Sequence, residues 1–329
     1  MRRRRHAVPH RMESCEAMVR NKFLRALRRL GKRYVFNLYH RSKLSAAHFP
    51  PAVWIENTNL CNARCVMCPR DKHTRPQGIM PMALFEKLIS EIEKNNDAVT
   101  RVHLHNYGEP LLDKDLALKI RLAKEAGVRQ VYFVTNASLL TEEKVHQYIA
   151  AGLDEFKISF YGTSPETYNN TMVGLDFEKT MNNVKTFFRV RKALNAKHPR
   201  VLVQYLPQPH NLGLTDEFVS MFDDMIDRTL GDSISIFNLH NFGGGRSYRD
   251  TSAPACTICD YPWRTMVILQ NGLVVPCCMD YNGEQVVGDV TVDSIAGIWN
   301  GTAYRQMREM FKTLNYTRYP VCLRCEHIR

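Results

Sequence analysis

The segment Cys61-Asn-Ala-Arg-Cys65-Val-Met-Cys68 sets three thiols at intervals of four and three. Thiolates so spaced can wrap one corner of a cubane iron–sulfur cluster. A zinc site needs four ligands, usually from paired Cys-x2-Cys units or added histidines, and this loop supplies three. A [4Fe–4S] cluster held by three cysteines has one iron free of protein, open to a substrate or cofactor. The competing reading is a zinc knob that borrows His73 as its fourth ligand. Four further cysteines, Cys259, Cys277, Cys322 and Cys325, lie near the C-terminus and suffice for a second [4Fe–4S] cluster with no open iron. Cys256 precedes Cys259 by three and competes for its place. Cys278 adjoins Cys277 without an assigned partner, and a small packed thiol is one reading of it. Cys15 is read as having no role.

The elements that must position these groups alternate from Pro50 onward. Strand-like runs fall at residues 53–57, 102–106, 130–135, 155–160, 200–206 and 233–239. Helix-like stretches lie between them at 81–94, 113–126, 141–150, 176–194 and 215–227. Pro81 suits the first turn of its helix, and Gly127 and Gly152 stand where C-terminal caps belong. Six βα units predict an α/β fold with a parallel sheet, a partial (βα)6 TIM-like barrel rather than a closed eightfold one. The first cysteine loop follows the first strand, at the barrel end where such enzymes keep their chemistry. Residues 241–255, rich in Gly, Ser and Pro, read as a linker. A hairpin follows at 265–269 and 273–275 around Asn271-Gly272, then helices near 294–300 and 302–314. The expected organisation is a basic segment over 1–50, a barrel over 51–240, and a small hairpin-plus-helix unit over 241–329.

The chain has 329 residues, of which 44% are apolar and 24% charged, ample for a buried core. No run of about 18 apolar residues exists, which excludes a membrane-spanning helix. The basic N-terminus lacks the apolar stretch and cleavage site of a signal peptide. A cytoplasmic location is therefore expected, with cysteines acting as metal ligands or reactive thiols rather than disulfides. Residues 1–50 hold 14 Lys+Arg against 2 Asp+Glu, a net of +12, equal to the net charge of the whole chain. The body is thus neutral, and a nucleic-acid partner is not expected. Within 15–44, Phe23, Leu24, Leu27 and Leu30 recur at helical spacing among arginines and lysines. This amphipathic helix either packs on the body or makes a peripheral contact with anionic lipid.

At these motifs the chain resembles the radical S-adenosylmethionine superfamily. The Cys61/Cys65/Cys68 loop matches the family's cluster loop, and Tyr107-Gly108-Glu109-Pro110 resembles its Gly-Gly-Glu motif, with Tyr107 in place of the first glycine. The resemblance implies that S-adenosyl-L-methionine chelates the open iron through its amino and carboxylate groups. Glu109, with Gly108 and Pro110, would hold the amino group, and Met67 would pack near the adenine. Asn136, Ser159 and Gln204, at or near strand ends, match positions that touch the cofactor, or else they cap helices and satisfy loop amides. His103 and His105 share one face of the second strand; they point into the barrel or are ordinary strand residues. The C-terminal cysteines, with Tyr261-Pro262-Trp263, Gly272 to Cys278 and Gly288-Asp289, resemble the SPASM extension. No cysteine follows Cys325, so the shortened twitch version with one auxiliary [4Fe–4S] cluster is expected.

The resemblance also implies a reaction. Cleavage of the bound sulfonium gives a 5′-deoxyadenosyl radical that takes a hydrogen from the substrate, and the auxiliary cluster accepts an electron. The expectation is an oxidoreductase acting on a polar small molecule such as a sugar, aminocyclitol or glycoside, fed by flavodoxin or ferredoxin. Arg246 and Arg264 either hold substrate oxygens or form ordinary ion pairs. Alternatives are an epimerase in which Cys278 or Cys256 returns the hydrogen, a peptide- or protein-modifying maturase, and a non-catalytic iron–sulfur or zinc protein. The short segment before the barrel, without a β-rich pattern, speaks against a leader-guided maturase.

Overall fold

The computed structural model describes residues 44–246 and 255–329. Cys15 and nearly all of the basic helix read over 15–44 lie outside the described residues. The first strand, β1 (Ala52–Ile55), leads into the cysteine loop and then α1 (Met82–Glu93). The repeat continues through β2 (Arg101–His103), α2 (Leu116–Glu125), β3 (Gln130–Thr135), α3 (Glu142–Ala150) and β4 (Glu155–Ser159). Two helices, α4 (Pro165–Thr171) and α5 (Phe177–Ala193), precede β5 (Arg200–Tyr205). Then come α6 (Thr215–Asp223) and β6 (Ser233–Ile236). These strands lie in chain order and pair in parallel.

Local chemistry explains the helix ends. The Thr141 hydroxyl accepts from Lys144 N at the start of α3, with Glu142 and Glu143 in the first turn, and Gly152 follows its end at φ 82°. Asp176 caps α5 by accepting from Lys179 N at 2.7 Å, and Arg191 and Lys192 occupy its last turn. Such caps are worth about 1 kcal/mol each. Pro81 stands one residue earlier than expected, at the N-cap of α1. α4 escaped the sequence reading because its Asn and Thr residues are poor helix formers. A Ser164/Thr167 capping box and the fully buried Tyr168 hold it instead.

The apolar face of the sheet meets the helices in the main core, where Phe133, Phe156 and Phe187 pack ring to ring. Two buried ion pairs brace this layer. Lys119 on α2 binds Asp113 at 2.7 Å, and Asp113 also accepts from Asn57 Nδ2. Arg191 at the end of α5 binds Asp232, which accepts from Val201 N as well. Removing one member of such a pair leaves a buried charge without compensation, at a cost of about 3–5 kcal/mol.

The C-terminal region contains α7 (Tyr261–Arg264), β7 (Thr265–Ile268), β8 (Leu273–Val275), β9 (Gly288–Asp289), α8 (Ile295–Trp299), α9 (Thr302–Lys312) and α10 (Pro320–Leu323). The hairpin does not stand apart from the barrel. β7 joins the barrel sheet parallel to β1, giving the nine-stranded order β6-β5-β4-β3-β2-β1-β7-β8-β9. Met266, Val267 and Ile268 are all fully buried, so both faces of β7 need cover, and an interior position in a parallel sheet supplies it. β8 and β9 then add antiparallel.

Candidate active site

The cysteine loop is pinned on several sides. Arg64 N donates to Val173 O and Val66 N to Thr171 O, tying the loop to α4. Arg70 reaches back to the carbonyl of Asn59 at 3.1 Å and to those of Cys61 and Ala63 at 3.5 Å. Arg246 donates to the Cys68 carbonyl and pairs with Asp71 at 2.7 Å. Burial is the main cause that raises all three thiols: Cys61 moves up, Cys68 is pushed up to about 11, and Cys65 goes well above its ordinary value, driven further by Cys68 and Cys61. Thiols raised in this way ionise readily only beside a compensating cation. An iron cluster provides that charge, so the donor set fits the group. His73 instead stacks on Tyr281, with ring centroids 5.6 Å apart, and meets Tyr107 edge-on. Among the described residues no group of three or more His, Cys, Asp or Glu side chains surrounds a single-ion site. Cluster ligands bind separate irons and do not converge on one point.

Glu109 follows β2 and is 2% exposed. Its carboxylate accepts from Thr135 Oγ1 at 2.6 Å, Asn136 N at 2.8 Å and Leu111 N at 3.1 Å, so it also caps the short turn Pro110–Leu112. A carboxylate offers about four acceptor positions, which leaves capacity for one more donor. Burial raises its pKa to about 7 against these favourable bonds. Gly108 lies against the chain that enters the cysteine loop: a Cβ there would come within 2.2 Å of Thr58 O and 2.8 Å of Leu60 O. Glu109 N donates to Leu60 O at 2.7 Å, so the close approach sets Glu109 beside Cys61, whose thiol its charge raises.

Of the other cofactor candidates, Met67 belongs to the cysteine loop and Asn136 contacts it, while Ser159 and Gln204 pair on β4 and β5. Met67 is buried in the core. The Asn136 amide donates to Asn62 Oδ1 at 3.0 Å and accepts from Ser138 N and Oγ, so its side chain braces the cysteine loop against the end of β3. Ser159 accepts from the Tyr161 hydroxyl at 2.9 Å and lies in register with Gln204 on β5.

The C-terminal cysteines also assemble. The Cys259 thiol is raised first by burial, then by Cys322 and Cys325. Cys277 is raised first by its hydrogen bond with the neighbouring Cys278 thiol, then by burial, and by Cys259 as well, and burial pushes Cys322 up to about 12. Cys256 uses its backbone N–H on Ile328 O. Sulfur atoms here receive donors: Met279 N to Cys277 at 3.2 Å and Gln285 Nε2 to Cys322 at 3.9 Å. Cys278 packs against the apolar group Val267, Leu269 and Val275, which Trp54 also meets. Tyr107 sits between the two cysteine groups, within electrostatic reach of Cys278, Cys68 and Cys277. Arg264 pairs with Asp260 and is largely exposed, and Arg246 is engaged as described, so both arginines take the ion-pair reading.

Several positioning residues were missed from sequence. Glu56, fully buried just past β1, accepts from Arg75 at 2.8 and 2.9 Å, from Asn106 Nδ2 and from Gln270 N. Arg75 also donates to Gln270 Oε1 at 3.1 Å. This network joins the cysteine loop, the Glu109 loop and the hairpin. A carboxylate directly after an apolar strand was the available signal.

Residues 55–195 match the model of the radical SAM superfamily, and residues 259–326 match SPASM, an iron–sulfur cluster-binding domain. The chain is similar to an S-adenosyl-L-methionine-dependent 2-deoxy-scyllo-inosamine dehydrogenase of Niallia circulans, with 23% identity over 83% of this chain and 92% of the relative. It is also similar to a tungsten-containing aldehyde ferredoxin oxidoreductase cofactor-modifying protein of Pyrococcus furiosus, with 24% identity over 83% of this chain and 86% of the relative. Among solved structures it resembles BtrN in complex with AdoMet and 2-DOIA (TM-score 0.59, 21% identity, 84% of this chain and 92% of that one). It likewise resembles Streptococcus suis SuiB bound to precursor peptide SuiA (TM-score 0.63, 14% identity, 83% and 70%). At these identities the structural likeness concerns the fold.

Proposed function

The chain belongs to the radical SAM superfamily and carries a SPASM iron–sulfur domain, and from that premise we propose that it oxidises a polar small molecule by two electrons. Cys61, Cys65 and Cys68 hold the first cluster, and Cys259, Cys277, Cys322 and Cys325 the auxiliary one. When bound, the first cluster and S-adenosylmethionine supply the 5′-deoxyadenosyl radical that takes a hydrogen atom from substrate carbon. Loss of a proton and one further electron then leaves a carbonyl. Glu109 offers its remaining acceptor position to the methionine ammonium. Asn136 and Arg70 keep the loop in place by binding Asn62 and loop carbonyls. The auxiliary quartet would hold a cluster able to take the second electron, and Tyr107 lies within electrostatic reach of both groups. The observation behind this reading is that the fold gathers two sets of thiols: Cys65 is raised by burial and then by Cys68 and Cys61, and Cys259 by burial and then by Cys322 and Cys325, with Tyr107 in electrostatic reach of both sets. The dehydrogenase relative acts on 2-deoxy-scyllo-inosamine, which supports a hydroxylated substrate. The cysteine chemistry suits a reducing cytoplasm, and the flavodoxin or ferredoxin donor remains part of the proposal.

A second reading is favoured by Cys278, which packs on the same apolar group as Trp54 at the barrel's inner side. There it can return a hydrogen atom and make the reaction an epimerisation. The two separate by isotope: epimerisation places one solvent deuterium at the inverted carbon and fails in Cys278→Ala, whereas oxidation gives a carbonyl and survives.

Anaerobic reconstitution with an iron and sulfide count tests the main reading. About eight irons per chain are expected, and about four in the Cys61/Cys65/Cys68 triple alanine variant. About four in the wild type with almost none in the variant would remove the auxiliary cluster and the electron route with it.

A further inference from the structure

Strand alternation divides the sheet into two faces. Val53, Ile55, Val102, Leu104, Phe133, Phe156, Ile158, Val201 and Val203 belong to the helix-side core. The residues between them face the barrel interior, where register sets them in layers. One layer reads Trp54, His103, Tyr132, Glu155, Arg200; the next reads Val134, Lys157, Leu202, Ser233; the next, Ser159, Gln204, Ser235. The N-terminal end is closed by a ladder in which Arg101 donates to Gln130, and Gln130 and Arg200 both donate to Glu155.

Arg200, not Lys157, takes the Glu155 carboxylate at 2.8 Å. The Lys157 ammonium lies 4.6 Å over the Phe237 ring, and burial is the main cause that lowers its pKa. His103 and His105 are 7% and 5% exposed, and the Nδ1 of each is buried without a hydrogen-bond partner. His103 stacks on Trp54 with centroids 4.2 Å apart, and Tyr132 meets both imidazoles edge-on. Burial, then neighbouring charges that include Lys157, keep both rings neutral near pH 7. On the inward face of β1 to β6, Lys157 is a half-buried cation above the ladder formed by Arg101, Arg200 and Glu155, and the Glu56 carboxylate just past β1 is taken by Arg75. The interior is therefore net cationic, and Lys157 lies two residues, about 7 Å, from the Ser159 layer assigned to the cofactor.

We propose that this interior recognises an acidic hydroxylated small molecule, its carboxylate or phosphate seated on Lys157 and its hydroxyls on the Nδ1 atoms of His103 and His105. This deepens the proposed function and rests on its placement of substrate in the barrel. It sets the chain apart from a relative whose substrate is named as an amine, because a second cation would meet Lys157 with repulsion.

The test is calorimetric titration of the reconstituted full chain, with S-adenosylmethionine present, using glucose, glucosamine, glucuronate and glucose 6-phosphate. Glucuronate or glucose 6-phosphate is expected to bind at least about tenfold more tightly than glucose, and whichever does so tells carboxylate from phosphate. Lys157→Met should erase the preference and Lys157→Arg should keep it. His105→Leu should weaken glucose and the preferred anion by similar factors. Equal or tighter binding of glucose or glucosamine, no measurable binding of either anion up to millimolar concentration, or a preference that survives Lys157→Met would overturn the inference. An unchanged His105→Leu would remove the imidazoles from it. Iron content and S-adenosylmethionine cleavage, measured on the same samples, judge the enzymatic reading separately. If they are intact without a charge preference, only the recognition site falls. If they are lost while the preference persists, only the reaction falls.

Discussion

Glu109 does two jobs with one carboxylate. It takes N–H and O–H donors from the ends of two loops, and it stands beside the first cysteine with an acceptor position to spare. Burial makes its ionisation unfavourable in the fold, where its pKa rises from 4.5 to about 7. In the unfolded chain it ionises at the ordinary value. Stability is therefore full below about pH 4.5 and falls by roughly 3 kcal/mol as pH rises through about 7. In the metal-free protein, Glu109→Gln is expected to flatten that decline in denaturant melts from pH 5 to 8. Identical pH profiles for the two proteins would show that Glu109 is not its cause. The same variant should bind S-adenosylmethionine more weakly, since an amide offers the ammonium less than a carboxylate does.

Two connections decide where the chemistry sits: the loop after β1 and the loop after β2. They touch at Gly108, where a side chain would collide with the Thr58 and Leu60 carbonyls. Backbone atoms in two pinned loops cannot step aside as a flexible side chain would. Gly108→Ala is expected to cost more than about 2 kcal/mol and to reduce iron retention in the first cluster while leaving the auxiliary four irons in place. Iron loss from both clusters would mean that the whole sheet had yielded, not the two loops alone. The sequence reading had Glu109 and the glycine from the motif, but not this contact. A glycine's spacing says nothing about which carbonyl will face it.

Across the whole molecule, the hairpin and the barrel are one sheet, locked where Arg75 bridges Glu56 and Gln270. This lock orients the auxiliary cysteines, because β8 runs directly into Cys277. Arg75→Met would leave the buried Glu56 charge without its bidentate partner, a loss of about 3–5 kcal/mol. Faster amide exchange is expected in residues 265–275 than in β3, and equal protection in both would refute the lock. Much of this protein was legible in the chain alone. The strand over Gln130–Thr135 and the hairpin strand Leu273–Val275 fall where periodicity set them. The Cys61 loop can be proposed as a cluster corner from the chain alone because its three thiols fall within eight residues. Face alternation marked His103 and His105 as partners on one side of β2. Tertiary structure alone decided which side was the inside, that β7 would lie against β1, and that Lys157 would share an interior with two imidazoles whose Nδ1 atoms have no hydrogen-bond partner. It also brought Arg75 to Gln270 across 195 positions and Cys259 to Cys322. Periodicity and motif spacing express short-range geometry. The pairing of distant segments depends on how buried faces and buried charges are jointly satisfied, and no local stretch of sequence contains both partners.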